Sequence, residues 1–329
     1  MSPLTEILRD EISRAGPISF RRFMQAALYD PVHGFYRRGR DPFGKQGDFY
    51  TAEQIQPVFG ILMAAQIRAL HKEMGSPPDF TVVELGAGRR EMAKAFSEWR
   101  YMPLDIAEGA LPERFRGVVF ANEFFDALPV EQVTFRGGCY REVLVGWDGR
   151  FVWTAGGPAR AESAEYLCRY FPPPAEGAIY EVNTDALAWL ERIAGALEAG
   201  GVLTIDYGYT RAESARFPQG TLMSYRRHHA DEDVLDDPGA RDITAHVAFT
   251  ALQEHGARLG LKTVRFETMA QTLLAAGEAD QFAAALAGAG PQEERQRRSQ
   301  LKSLLFGMGE TFRTLLQSAG GEDAGPATK

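Results

Sequence analysis

The N-terminal part of the chain repeats its apolar residues with the period of a helix. A first helix is predicted after Ser2-Pro3, a typical helix start, with these apolar residues on one face: Leu4, Ile7, Leu8 and Ile12. Similar patterns follow Ser19 and Pro57, and Pro77-Pro78 interrupts them. We therefore predict an N-terminal helical cap over residues 1–78.

Beyond this point, short apolar runs alternate with helical patterns. We predict strands at Phe80–Leu85, Gly117–Ala121, Ala178–Val182 and Gly201–Asp206. Such alternation predicts an α/β fold with a parallel sheet and right-handed crossovers, here over residues 79–329. Two stretches do not follow it and are predicted to be insertions: 131–177, which includes a β-ribbon over Glu131–Trp153, and 209–243.

The first predicted strand leads into a Gly-x-Gly turn. Glu84 precedes the turn, and Gly86 and Gly88 would let the backbone approach a ligand closely. A dinucleotide site needs a third glycine where this chain has Glu91, whose carboxylate would repel a pyrophosphate. S-adenosylmethionine fits better, since it carries no phosphate and Glu84 could help to hold its ammonium group. The alternative is an ordinary turn whose glycines serve packing.

The second predicted strand also ends in polar residues. Asn122, Glu123 and Asp126 follow it directly, at the sheet edge where open α/β sheets bind their ligands. The alternative is that Asn122 or Asp126 caps a helix.

Between these strands the chain is short. Residues 89–116 have room for one helix, about Glu91–Trp99, and one strand, about Tyr101–Leu104. Asp105 ends that strand at the spacing expected of an acid that binds both ribose hydroxyls. Either Asp105 has this role, or a strand-helix unit is missing and Asp105 lies nearer the adenine, or it is a turn acid. Because this segment is so short, the first half of the sheet is predicted to be shortened.

Several motifs in one order resemble the MidA family of methyltransferases. They include Ala27–Tyr36, Gly44–Ala52, Glu84–Gly88, Ala121–Pro129, Ile205–Tyr209 and Asp242–Val247. The resemblance implies a Rossmann-like class I methyltransferase sheet and S-adenosyl-L-methionine as cofactor. The mitochondrial members are complex I assembly factors that methylate arginine. Arg90 and Glu91 depart from the family, whose members commonly carry a small residue or glycine there.

The resemblance also implies residue roles. Glu123 stands where related arginine methyltransferases place a substrate-binding glutamate, and Asp126 is the second catalytic candidate. Independently of the resemblance, the segment Asp30–Gln56 is a long loop rich in glycine and aromatic residues, so Gly44–Ala52 is predicted to be a lid over the cofactor. Asp48 and Thr51 either touch the methionine end of the cofactor or simply form turns. The full cofactor-binding set that we predict is Asp48, Thr51, Glu84, Gly86, Gly88, Asp105 and Asn122.

Composition narrows the function classes. The net charge of -8 argues against a nucleic-acid partner and favours a cationic substrate. The two cysteines are too few for a disulfide framework or a zinc site, and His228-His229 has no third metal ligand at a useful spacing, so we predict no metal. With no apolar run long enough for a membrane and no recognisable signal peptide, we predict a cytoplasmic protein.

These observations predict an enzyme that transfers a methyl group from S-adenosyl-L-methionine to arginine on a protein, in the family's case a respiratory complex I subunit. A small cationic or phenolic acceptor is a variant of this hypothesis. The alternative class is a non-catalytic assembly or binding protein that keeps the fold, which Arg90, Glu91 and the short segment favour. The oligomeric state stays open, with a dimer as one option.

Overall fold

A computed structural model of the chain describes residues 1–37, 56–106, 108–226 and 229–320. The chain divides into two compact units. Unit 1 comprises Met1–Tyr50, Phe125–Ala188 and Tyr209–Thr250. Unit 2 comprises Thr51–Phe124, Trp189–Gly208 and Ala251–Lys329.

The helices and strands are numbered in chain order. The helices are α1 (Pro3–Ala15), α2 (Phe20–Tyr29), α3 (Val58–Glu73), α4 (Ala161–Tyr170), α5 (Thr184–Ala196), α6 (Phe249–Arg258), α7 (Met269–Glu278), α8 (Ala283–Leu286) and α9 (Pro291–Phe306). The strands are β1 (Ile18–Ser19), β2 (Thr81–Leu85), β3 (Arg100–Leu104), β4 (Phe115–Asn122), β5 (Glu131–Arg136), β6 (Cys139–Trp147), β7 (Phe151–Pro158), β8 (Ile179–Val182), β9 (Leu197–Tyr209), β10 (Met223–Arg226), β11 (His229–Asp231), β12 (Asp242–Thr244), β13 (Val247–Ala248), β14 (Lys262–Thr268) and β15 (Phe312–Ala319). In the described part of the chain, none of the helices combines the length and the apolar character that crossing a membrane requires.

Unit 2 is built on an open sheet with strand order β14-β15-β9-β4-β2-β3. Strands β3, β2, β4 and β9 are parallel, whereas β15 is antiparallel to both of its neighbours. Strand β2 is buried along its whole length, as a central parallel strand covered on both faces should be. One face of the sheet packs into a core with α3 and α7, in which Phe59, Phe120 and Phe312 are fully buried.

Unit 1 contains an antiparallel sheet of order β1-β6-β5-β8, with β7 paired to β6. A smaller sheet has the order β11-β10-β12. Helices α1 and α2 begin at side-chain caps: the Ser2 hydroxyl accepts from the Thr5 N–H, and the Ser19 hydroxyl accepts from the Arg22 N–H. Their apolar faces pack with Val145 and other sheet residues in the core of this unit.

The α/β fold class is confirmed, and so are the predicted N-terminal helices, the β-ribbon and three of the four strands. The fourth strand, predicted at Ala178–Val182, is β8, which pairs antiparallel with β5 in unit 1 and is not part of the parallel sheet. An apolar run alone does not specify its pairing partner, because that partner lies far away in the sequence.

The helix predicted over Glu91–Trp99 is wrong. These residues form successive turns, in which the Ala93 N–H donates to the Arg90 carbonyl and the Trp99 N–H donates to the Phe96 carbonyl. Within the described residues, β3 is the outermost strand beyond β2, so the sheet has the shortened form.

The compact units are divided differently from the predicted boundary at residue 78. Helix α3 belongs to unit 2 with the parallel sheet, while α1 and α2 belong to unit 1 with the stretches predicted as insertions. The core of unit 1 explains this grouping, because Phe20 and Phe23 of α2 pack with Val130 and Phe151.

Candidate functional site

Parallel pairing places the ends of β2 and β4 at the same edge of the unit 2 sheet. Leu85 is in register with Ala121, so the Gly86 turn and Asn122 both begin immediately beyond that pair. The sequence-predicted residues of unit 2 therefore meet at the carboxyl edge of parallel strands, where open α/β sheets bind their ligands.

The turn after β2 requires glycine. Gly86 has φ of 68° and Gly88 has φ of 46°, values in the left-handed region. A Cβ atom on Gly86 would lie 3.2 Å from Cδ2 of Phe124, tighter than most real contacts of that kind. Phe124 packs edge-on against Trp189, with 5.2 Å between ring centroids. A side chain at Gly86 would therefore press against Phe124, which is a second reason for glycine at this position.

Asp105 braces this turn. Its Oδ2 accepts a hydrogen bond of 2.7 Å from the Gly88 N–H, and its Oδ1 accepts one of 2.6 Å from the Ile106 N–H. The side chain is exposed, so it remains accessible to a ligand. Asp105 therefore lies beside the glycine turn as predicted, while its contact with ribose stays a prediction.

Arg90 and Glu91 are paired with neighbours in the same segment. Arg90 forms an ion pair with Glu108, and Glu91 lies 3.6 Å from Arg89. These contacts place the residues that depart from the family pattern in local ion pairs next to the turn.

Glu84 is buried at the end of β2, with 1% of its surface exposed. Its Oε2 accepts a hydrogen bond from the hydroxyl of Tyr101 on β3. A buried carboxylate is costly unless donors or a cation compensate for the lost water, and the Tyr101 hydroxyl is one such donor. Sequence reasoning missed Tyr101, although a tyrosine in the strand next to β2 was a visible signal.

Asn122 supplies an unsatisfied buried acceptor at this edge. The residue is 4% exposed, and its Nδ2 donates to Oε1 of Glu123 at 3.3 Å. Its Oδ1 has no hydrogen-bond partner among the residues that the structure describes. Buried polar atoms are nearly always paired, so an orphan here indicates a place for a donor from a ligand or water. The polar and cationic donors of S-adenosyl-L-methionine fit this acceptor and the Glu84 carboxylate.

Glu123 has an unusual backbone. Its φ is 49°, and its N–H donates to the carbonyl of Ile205 at 2.9 Å. A residue other than glycine in this region costs about 1–3 kcal/mol and persists only where its surroundings enforce it, often at functional sites. The strain was invisible in the sequence, and it makes Glu123 the stronger of the two catalytic candidates.

Asp126 belongs to unit 1, whereas Glu123 belongs to unit 2. Asp126 is buried, and its carbonyl accepts from the Ala245 N–H at 2.9 Å. In the same unit, Tyr36 donates to Oδ1 of Asp242 at 2.8 Å. Burial raises the pKa of Tyr36 well above its usual value, and the negative charges of Asp242 and Asp126 add to that effect. Asp126 therefore lies near a buried tyrosine and a second carboxylate that sequence reasoning did not select.

Unit 1 also contains a closed polar cluster, which we define as Gln132, Glu181, Gly220, Thr221 and His246. Thr221 donates to both carboxylate oxygens of Glu181, from its N–H and from its hydroxyl, each at 3.1 Å. A Cβ atom on Gly220 would overlap Oε1 of Glu181. Burial raises the pKa of Glu181, and burial lowers the pKa of His246. This cluster has no room for a ligand at the Glu181 carboxylate.

Three residues singled out in the sequence, and the predicted lid at Gly44–Ala52, lie outside the described residues. The three residues are Asp48, Thr51 and His228. Within the described ranges, His, Cys, Asp and Glu side chains form no group of three that could hold a metal ion.

Comparison with known proteins identifies the family. Residues 94–267, more than half of the chain, match the family model of S-adenosyl-L-methionine-dependent methyltransferases. The fold matches the crystal structure of a COG1565 superfamily member from Burkholderia thailandensis bound to S-adenosyl-homocysteine. That match has a TM-score of 0.83 and 31% sequence identity over 98% of this chain and 93% of the other.

Curated relatives are similar over most of this chain. The mitochondrial protein arginine methyltransferase NDUFAF7 homolog of Drosophila melanogaster is 28% identical, over 75% of this chain and 68% of its own length. The mitochondrial protein arginine methyltransferase NDUFAF7 of Homo sapiens is 26% identical, over 77% of this chain and 69% of its own length. The cytoplasmic location predicted from the sequence is contradicted by these relatives, which are mitochondrial proteins.

The cofactor prediction is confirmed by the family match and by the S-adenosyl-homocysteine bound in the Burkholderia structure. The glycine turn, the buried Glu84 and the orphan acceptor of Asn122 agree with it. This chain belongs to the family of S-adenosyl-L-methionine-dependent methyltransferases.

Proposed function

We propose that this protein transfers the methyl group of S-adenosyl-L-methionine to an arginine side chain of a protein substrate. The relatives from Drosophila melanogaster and Homo sapiens are protein arginine methyltransferases. The observation that carries the proposal is the strained backbone of Glu123 at the end of β4. Backbone strain of this kind is concentrated at functional sites. Glu123 also follows β4 at the carboxyl edge of the parallel strands, where open α/β sheets bind their ligands.

A carboxylate suits an arginine acceptor. The guanidinium is a permanent cation whose planar fork can donate two parallel hydrogen bonds to one carboxylate. Glu123 would bind it in this way and orient one nitrogen toward the methyl group. The hydrogen bond from Asn122 Nδ2 to Glu123 Oε1 restricts the glutamate side chain and so preorganises it. The bound cofactor supplies an activated methyl group, so the protein must chiefly position the acceptor.

The remaining roles are part of the same proposal. Glu84 would hold the ammonium of the cofactor, the Gly86 and Gly88 backbone would lie along it, and Asp105 would contact the ribose. Asn122 Oδ1 would accept from the cofactor. Asp126 is the second candidate for the catalytic role.

Two further parts of the proposal come from the sequence, the first from a long aromatic-rich loop between predicted helices and the second from the family resemblance. One is the lid at Gly44–Ala52 with Asp48 and Thr51, belonging to a cap over residues 1–78. The other is a respiratory complex I subunit as the protein substrate.

The test is transfer of radiolabelled methyl groups to proteins in a cell lysate, followed by identification of the labelled amino acid. We expect Glu123→Gln to bind S-adenosylhomocysteine normally and to lose about 100-fold in transfer, because removing one charge of a close pair costs about 2–5 kcal/mol. Glu98→Gln is the matched control, since Glu98 is an exposed residue of unit 2 that pairs with Arg68.

Each other result selects an alternative. Label on a neutral small molecule, or a fully active Glu123→Gln protein, would refute the arginine assignment while leaving a methyltransferase. Tight binding of S-adenosylhomocysteine without any transfer would favour the non-catalytic assembly protein.

A further inference from the structure

Tyr101 is a polar residue beside Glu84 that no predicted role includes. It lies on β3, which is parallel to β2, and its register partner on β2 is Val82. Its hydroxyl reaches along the edge and donates to Oε2 of Glu84. The contact therefore joins the strand before Asp105 to the acid before the glycine turn.

The ring of Tyr101 is held by aromatic packing. Its centroid lies 6.1 Å from that of Phe96, which itself packs edge-on against Phe120 at 5.3 Å. Phe96 and Phe120 are both fully buried in the core of unit 2. The hydroxyl is therefore presented from a rigid support, as a residue that orients another side chain needs to be.

A buried carboxylate can accept more than one donor. Its two oxygens together offer about four acceptor positions, and the Tyr101 hydroxyl is one of the donors that they accept. A neutral donor of this kind stabilises the charged form of the carboxylate without adding a positive charge.

We infer that Tyr101 is a positioning residue that holds the Glu84 carboxylate for the ammonium group of the cofactor. The inference rests on the cofactor-binding role proposed above for Glu84. A purely structural hydrogen bond between β2 and β3 is the competing explanation. If Tyr101 positions Glu84, loss of the hydroxyl should weaken binding of the amino-acid end of the cofactor and spare the nucleoside. A purely structural hydrogen bond predicts no such selectivity.

The experiment compares two ligands by calorimetric titration of the full-length protein. S-adenosylhomocysteine carries the ammonium group, whereas 5′-methylthioadenosine shares the nucleoside but lacks the amino-acid end. We expect Tyr101→Phe to weaken S-adenosylhomocysteine binding about tenfold, the size of a hydrogen bond to a charged group. Binding of 5′-methylthioadenosine should change by less than about twofold. Tyr140→Phe, in unit 1, is the control for the substitution itself and should leave both affinities unchanged.

A double-mutant cycle tests whether Tyr101 acts through Glu84. Glu84→Gln should lose affinity for S-adenosylhomocysteine, and adding Tyr101→Phe to it should cost little more, because coupled residues are not additive. Should Glu84→Gln not fold, the ligand comparison on Tyr101→Phe decides alone. Equal losses for both ligands, no loss for either, or additive losses in the cycle would overturn the inference.

The results for Tyr101 and for the proposed function can be told apart. A selective loss for S-adenosylhomocysteine together with no methyl transfer to arginine would support the role of Tyr101 and refute the acceptor assignment alone. Failure of the wild-type protein to bind either ligand would overturn the cofactor site and the role of Tyr101 together.

Discussion

Glu84 in unit 2 and Glu181 in unit 1 are both carboxylates on strands, and both are almost completely buried, at 1% and 4% exposure. Around Glu181, Thr221 donates to both oxygens and the Gly220 backbone closes the remaining space. Around Glu84, one donor is the Tyr101 side chain, and the chain continues into a glycine turn at the carboxyl edge of the parallel strands.

The difference shows that burial alone does not mark a functional acid. The cluster around Glu181 is closed, which is what a structural polar cluster needs. The edge around Glu84 includes the buried Oδ1 of Asn122, which lacks a hydrogen-bond partner within the described ranges. Substitutions in the closed cluster should therefore change stability, and those at the edge should change ligand binding.

The largest effect is expected from Gly220→Ala. Gly220 has φ of 82°, and the new Cβ would overlap the Glu181 carboxylate, so strain and overpacking together should cost about 3 kcal/mol of unfolding free energy. Gly177→Ala is the control, since Gly177 has φ of 77° but no atom within 4 Å of the new Cβ. It should cost only about 1 kcal/mol in the same denaturant titration. Equal costs would show that the cluster is not closed.

Thr221→Val should separate stability from binding. It keeps the shape of the side chain but removes the hydroxyl that donates to Glu181 Oε2 and accepts from the His246 N–H. We expect a loss of about 2 kcal/mol of unfolding free energy, the cost of leaving buried polar groups unpaired. Calorimetry should give an unchanged affinity for S-adenosylhomocysteine. A weaker affinity would mean that the cluster takes part in binding.

Asn122→Leu should lower the affinity for the cofactor and leave stability almost unchanged, the opposite of Thr221→Val. Removing an acceptor that has no partner among the described residues should change the unfolding free energy by less than about 1 kcal/mol, although the bond to Glu123 is also lost. The affinity for S-adenosylhomocysteine should fall about tenfold. The matched amide control is Gln132→Leu in the closed cluster, whose side chain bonds to Glu181 and which should lose stability without losing affinity. The reverse pattern would remove the basis of the comparison.

The smallest effect is a pH dependence of stability from Glu181. Burial raises the pKa of Glu181 in the folded protein above that in the unfolded chain. The stabilising contribution is therefore complete below the unfolded pKa and is lost as the pH rises toward the folded pKa. Glu181→Gln cannot ionise, so its melting temperature should fall less than that of the wild type between pH 4.5 and neutral pH. Parallel melting curves for the two proteins across that range would contradict this prediction.

The sequence predicted the sheet of unit 2 well and the architecture of unit 1 poorly. Strands β2, β4 and β9 are buried on both faces, so they are continuous apolar runs that can be recognised without their partners. Strand β8 has a similar composition, but its antiparallel pairing with β5 depends on a contact across more than forty positions. The segment after Gly88 forms turns although its apolar residues have helical spacing, because spacing alone does not determine which backbone hydrogen bonds form.

The residue types of the candidate site, and the need for glycine after β2, could be predicted from the chain alone. Both follow from local chemistry: a glycine accepts a left-handed conformation, and an acid at a strand end faces a ligand. The partners of those residues could not be predicted. Tyr101 meets Glu84, and Asp105 meets Gly88, each across 17 positions, while Thr221 meets Glu181 across 40. Strand register and packing bring such residues together, and so the folded chain alone distinguishes an acid held for a ligand from an acid enclosed in the protein.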